Sequence, residues 1–149
     1  MSILDQIKDH PWRALVGLAL LVAGIAFFVD WLVITDEEQI EIMLLDARDR
    51  FLAGDEPGVM ASFSRNYSAA DISQEIIRAE VKRKRWRDAT VSLSSIVFDA
   101  KEPDHKASGR VSASGTPIEG TTETRMLWLR FEKIGDDWKI QSVNFQPVR

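Results

Sequence analysis

The chain contains no cysteine, two histidines and one tyrosine. The first absence excludes disulfides, thiolate metal sites and cysteine nucleophiles. It is compatible with an oxidising compartment without requiring one. The shortage of imidazole leaves only carboxylate-type metal sites and removes the base that a serine nucleophile needs. His105, between Asp104 and Lys106 in a turn region, is a poor candidate for that role, and Asp136-Asp137 reads as a turn rather than a metal site. No Gly-rich phosphate loop is present. A large charge excess is also missing. The net charge is −4, which argues against a dedicated nucleic-acid binder.

What the chain does have is a long apolar run. Ala14 to Ile34 reads ALVGLALLVAGIAFFVDWLVI, apolar apart from Asp30. About 20 helical residues cross a bilayer, so the run is expected to be a transmembrane helix. A cleaved secretory signal has a shorter apolar core, about 7–15 residues, and a basic start. Here Asp5 and Asp9 offset Lys8 and Arg13, and the small-residue motif Gly24-Ile25-Ala26 lies inside the run. An uncleaved anchor is therefore expected. Trp12 and Trp31 bracket the run as interfacial aromatics do, and Asp30 is close enough to its end to reach the headgroups. Gly17, Ala19, Ala23 and Gly24 could support close helix packing.

The three segments expected are residues 1–13 in the cytoplasm, a transmembrane helix over 14–34 and a folded domain over 35–149. Lys8 and Arg13 lie before the run, and the first cation after it is Arg48. The positive-inside rule then places the domain at the outer face of an inner membrane. Taking Lys8, Arg13, Asp5, Asp9 and Asp30 from totals of 19 basic and 23 acidic residues leaves the domain 17 and 20, a net of −3.

The domain opens on a T-x-x-E capping box, Thr35 to Glu38, with Asp36 and Glu37 at the positive helix start. Ile40, Met43, Leu44, Ala47, Phe51 and Leu52 follow at helical spacing, and Gly54 ends the helix. Asp55 and Pro57 start a short second helix with Val59, Met60 and Phe63 on one face. Arg65 to Ala70 connects, with Tyr67 opening a small extended piece. Asp71 is expected to cap a third helix carrying Ile72, Ile76, Ile77 and Val81.

From Asp88 the apolar period becomes two. Val91 and Leu93 share a face; after a bulge at Ser94-Ser95, Ile96, Phe98 and Ala100 continue it. A second strand over Lys106–Gly115 alternates the small residues Ala107, Gly109, Val111 and Ala113 with Ser108, Arg110, Ser112 and Ser114. A third over Thr121–Lys133 puts Leu127, Leu129 and Phe131 on one face and Met126 and Trp128 on the other. Gly135-Asp136-Asp137 turns the chain into a last strand, whose phase shifts before Val143. Helices followed by an antiparallel meander make an α+β domain, and a bent sheet with a small-residue face leaves room for a cone-shaped interior.

The turn Phe51-Leu52-Ala53-Gly54-Asp55, the ending Phe131-Glu132-Lys133-Ile134-Gly135-Asp136-Asp137-Trp138-Lys139-Ile140 and the element order resemble the NTF2-like superfamily, which includes the SnoaL-like and ketosteroid-isomerase-like proteins. The resemblance covers about Thr35 to Phe145. It implies a cone of three helices packed on a curved antiparallel sheet, and frequent dimerisation through the sheet. Family enzymes place an acid, a tyrosine or a histidine in the cone, and no residue here aligns with such a catalytic group. The superfamily includes enzymes, pocket binders and assembly modules, so the fold does not choose among them.

The candidate pocket lining is Phe63, Tyr67, Trp86, Val111, Met126 and Trp128. Glu123, Glu132 and Arg125 offer inward-facing charge or a solvated pair. Lys82, Arg83, Lys84, Arg85 and Arg87 form a basic patch around Trp86: the polar end of a helix, a contact for anionic lipid or a contact for a protein partner. No cofactor is implied. Three functions stand open. One is a membrane-anchored, non-catalytic module that binds itself or a membrane protein; an anchor followed by an NTF2-like domain resembles the assembly subunit of type IV secretion systems, although this domain is shorter. Another is a pocket protein that binds or transforms a small apolar ligand. The last is a cytoplasm-facing domain with its basic helix end on lipid.

Overall fold

A computed structural model describes residues 11–68 and 71–145, with the side chains of 11–14 and 29–32 left undescribed. The segment before Pro11, with its expected cytoplasmic placement, lies outside the described residues, as do the side chains of Trp12, Asp30 and Trp31. The chain divides into two compact units, one ending at Thr35 and the other starting at Asp36.

The first unit contains helix α1, Pro11–Leu32. Its described side chains, residues 15–28, are all exposed, among them the large apolar Leu15, Leu18, Leu20, Leu21 and Phe27. Among the described residues no helix is long and apolar enough to cross a membrane. Residues 15–28 alone are shorter than the roughly 20 residues a span takes.

The second unit is α+β. Helices α2 (Asp36–Ala53), α3 (Glu56–Met60) and α4 (Gln74–Arg83) precede strands β1 (Trp86–Phe98), β2 (Lys106–Pro117), β3 (Glu123–Ile134) and β4 (Asp137–Asn144). The strands form one antiparallel sheet in sequence order.

Helix α2 buries Ile40 and Leu44, a spacing that aims both at the sheet. It stops at Gly54, whose φ of 70° is the left-handed conformation glycine adopts without penalty. The Gly54 amide donates to Phe51 O (3.1 Å) and the Asp55 amide to Arg50 O (2.9 Å), so two end carbonyls are satisfied by a Schellman motif. Asp55 then caps α3 by accepting from the Gly58 amide at 3.1 Å.

Helix α4 departs from expectation. Its cap is Ser73, which accepts from the Ile76 amide at 3.3 Å. Asp71 instead accepts from the Phe145 amide at 2.6 Å and ties down the end of β4. Ile76 is 58% exposed, and Val81 is the side chain α4 buries fully. The expected extended piece also shifts. It is Phe63 that bridges in parallel to Ile140, flanked by Ser64 N to Ile140 O and Ile140 N to Ser62 O, each 2.8 Å.

The sheet bends at three register shifts. Two lie in β1, between Trp86 and Asp88 and between Leu93 and Ser95, the latter at the expected Ser94-Ser95 bulge. The third sets Arg130 and Phe131 against Ser142 and Ile140, leaving Gln141 as the extra residue. A bulge flips the alternation, which is why Trp138 and Ile140 change phase with Val143.

The inner face carries the core: Ile40 and Leu44 against Ala107, Val111, Leu129, Phe131, Trp138, Ile140 and Val143. The small face of β2 is expected to leave room. The large side chains of neighbouring strands take that room instead. A Cβ on Gly109 would stand 3.0 Å from Leu93 Cδ1 and 3.2 Å from Phe131 Cε2, with the Ser95 carbonyl also at 3.0 Å. Gly109→Ala is accordingly expected to destabilise the domain by about 1–3 kcal/mol through overpacking, read as a lower urea midpoint.

Candidate functional site

The six candidate lining residues do not meet around one space. Val111 is 1% exposed within the core. Phe63 and Tyr67 pack against the same core, their rings edge-to-face at 5.3 Å. The Tyr67 hydroxyl donates to Ile72 O at 2.6 Å, and burial pushes its pKa above the ordinary value of 10.0. A phenol held this way staples the 63–67 segment to the start of α4. Register places Met126 opposite Ser112 and Trp128 opposite Arg110, on the outer face, as the strand period requires.

Trp86 opens β1. Its ring lies over Gly115, where an added Cβ would come within 2.8 Å of Cε3. Its indole N–H donates to Glu80 at 2.9 Å. Glu80 also pairs with Arg85, and with Arg83 at 3.6 Å. Burial pushes the Glu80 pKa up, but the hydrogen bonds from Arg85 and Trp86 and the nearby charges outweigh it, leaving the group below 4.5.

The basic patch is thus partly neutralised within the domain. Glu56 takes Lys82 at 3.3 Å and Arg78 at 3.8 Å. Lys84, at φ 48°, ends α4 and lays its stem across Gly54. The run spans the last turn of α4, its cap and the start of β1, so it joins α4, α3 and the first strand rather than presenting one cationic helix face. Five cations in six residues cannot show this from sequence, because their partners Glu56 and Glu80 read as ordinary helix acids.

Among the described residues no group of three metal-ligating side chains comes together. Glu123 is exposed, and the exposed Arg125 sits over the Phe145 ring at 6.0 Å. Glu132 accepts from the buried Ser64 hydroxyl and, at 3.3 Å, from Asn66 Nδ2. His105 is exposed in a turn, its carbonyl accepting from the Lys133 amide at 2.8 Å. Among the described residues the buried polar side chains are Ser62, Ser64, Thr116 and Ser142, all hydroxyl groups.

One cluster escapes sequence reasoning. Asp36 Oδ1 accepts from Lys133 Nζ at 2.9 Å and from Trp138 Nε1 at 3.0 Å. The partners are 97 and 102 residues away, so no local pattern could reveal them. The Trp138 and Lys133 hydrogen bonds and the Lys133 charge outweigh burial and hold the Asp36 carboxyl below its usual 3.8. A carboxylate with a lowered folded pKa stabilises above its unfolded pKa, and the benefit fades as pH falls through the folded one. The urea-midpoint gap between wild type and Asp36→Asn is therefore expected to be full at neutral pH and to close below about pH 4.

No family model and no curated protein matches the chain. Solved structures do. An NTF-2 like protein of unknown function from Shewanella oneidensis MR-1 aligns with TM-score 0.60 at 15% identity, covering 73% of this chain and 97% of that one. A domain of unknown function with a cystatin-like fold from Nostoc punctiforme PCC 73102 gives 0.57 at 15%, covering 76% and 78%. A putative scytalone dehydratase from Novosphingobium aromaticivorans DSM 12444 gives 0.56 at 14%, covering 76% and 89%. The second unit therefore has an NTF2-like fold. At such identities the likeness concerns the backbone alone.

Proposed function

We propose that an NTF2-like domain without a catalytic centre serves here as a binding or assembly module, anchored by its apolar N-terminal helix at the outer face of an inner membrane. The observation that carries the non-catalytic part is the inner wall. Ile40, Leu44, Val111, Leu129, Phe131 and Ile140 fill it, and among the described residues no acid, amine or imidazole is buried there. General acid–base chemistry needs such a group in a water-poor pocket. A filled wall also leaves little room for the apolar ligand of the alternative reading.

The anchor rests on the Ala14–Ile34 run together with the exposed leucines and Phe27 of α1, a surface that water penalises and lipid does not. The internal pairing of Lys82, Arg83 and Arg85 weakens the reading in which that run rests on lipid.

Cross-linking in intact membranes tests the module. A discrete adduct, homomeric or with another protein, is expected; monomer alone, with no adduct at any cross-linker length, overturns the reading. A reporter active only outside the cytoplasm, fused after Arg149, is expected to be active, and alkaline carbonate is expected to leave the chain in the membrane pellet.

A further inference from the structure

The outer face of the sheet carries a trough whose two arginines, Arg110 and Arg130, pair with no carboxylate among the described residues. Two open depressions, about 380 and about 660 Å³, share Val97 and Ser108 and so adjoin. The first also has Ser95, Arg110 and Trp128 in its lining; the second also has Arg130, Gln141, Lys106, which pairs with Glu102 at 2.6 Å, and Asp99, whose carboxylate accepts from the Lys101 and Glu102 amides. Register explains the grouping: Ser95 faces Arg110, Arg110 faces Trp128, and Ser108 lies between Val97 and Arg130.

Arg110 and Arg130 are exposed, and among the described residues neither has a carboxylate within ion-pair distance. The acid nearest in register, Glu132, is turned to Ser64 and Asn66. Two guanidinium groups outside ion-pair distance of any described carboxylate are a local concentration of positive charge on a domain whose net charge is −3.

We infer that this trough binds an extended acidic segment of another protein, with two carboxylates spaced as Glu-x-Glu or Asp-x-Asp. The inference rests on the binding-module reading and names the partner's chemistry. Arg110 and Arg130 stand at diagonal positions on adjacent strands, about 7–8 Å apart at the backbone. Alternate residues of an extended chain are about 6.6 Å apart and point the same way. One carboxylate for each guanidinium follows, each pair able to form two parallel hydrogen bonds. Val97, 67% exposed, and Trp128 offer apolar wall to the residues between and beside the acids, and Ser95 and Ser108 offer hydroxyls.

A second copy fits less well. Two-fold pairing sets the same patch against itself, bringing arginines toward arginines with Glu132 already engaged. A lipid surface is flat and matches neither the trough nor the spacing.

The test uses the full chain in neutral detergent micelles and a fluorescein-labelled peptide carrying Glu-Val-Glu between glycines and serines. Anisotropy is expected to show binding that weakens as salt rises from about 50 to about 200 mM. Arg110→Glu and Arg130→Glu are each expected to weaken it about tenfold, with thermal melting unchanged because both side chains are exposed. Lys-Val-Lys is expected not to bind, and Glu-Glu-Val to bind more weakly. Binding indifferent to both arginine reversals overturns the site. So does arginine-dependent capture of anionic-lipid vesicles in place of the peptide, or a dimer in sedimentation that the reversals dissociate. If membrane cross-links persist in the double reversal, the trough is refuted while the module reading stands; if wild type yields no cross-link, the module reading itself falls.

Discussion

Phe131→Ala is expected to lower the stability of the domain by about 3–5 kcal/mol, the range for deleting a buried aromatic ring. Phe131 is 0% exposed. It faces Ala107 across β2 and Ile140 across β4, and its ring edge occupies the space beside Gly109. Neighbouring residues cannot collapse into the gap without moving two strands. A domain of this size has about 5–15 kcal/mol in total, so the variant is expected to lose a large share of its urea midpoint. Phe131→Leu, which keeps much of the volume, is expected to cost under half as much. Equal midpoints for Phe131→Ala and wild type would show that the ring is not packed as described.

Trp138→Ala is expected to cost a similar amount, about 3–5 kcal/mol, for two separable reasons. Trp138 is 3% exposed and meets Phe98 edge-to-face at 6.0 Å, so its removal opens a cavity at the turn end of the sheet. It also donates to Asp36, and Lys133 lies 5.8 Å from its ring centroid. Trp138→Phe separates the two effects. It retains an apolar ring and loses the indole donor, for an expected cost of about 1.5–3 kcal/mol, the range for a hydrogen bond to a charged group. Combining it with Asp36→Asn is expected to give less than the sum of the single effects, because both remove the same contact. Additive losses would mean that the indole and the carboxylate do not interact.

Most of the element order is legible in the sequence because it is written in short-range patterns. Gly54 and Asp55 end one helix and start the next within a few residues. The alternation of Leu127, Leu129 and Phe131, and the slip at Ser94-Ser95, need only the two-residue period of a strand. Local reading fails where a residue has two eligible uses. Asp71 has the chemistry of a cap, yet Ser73 caps α4 and Asp71 holds Phe145. Ile76 fits a helical stripe, yet α4 is short and turns its single deep contact, Val81, inward.

The candidate site was less legible for the same reason. Val111, Met126 and Trp128 look alike as pocket wall, and only strand parity across the folded sheet puts Val111 inside and the other two outside. The basic run looks free because its acids lie in other helices or in an earlier turn. Sequence alone determined the apolar run, the α+β order, the bulge in β1 and the lack of sulfur chemistry, since each depends on residue identity or on neighbours a few positions apart. Tertiary structure alone decided that large side chains fill the inner wall, that Asp36 serves the β3–β4 hairpin, and that Arg110 and Arg130 share a face with no described carboxylate in ion-pair distance of either. Each of these depends on strands and helices far apart in the chain being brought within a few ångströms.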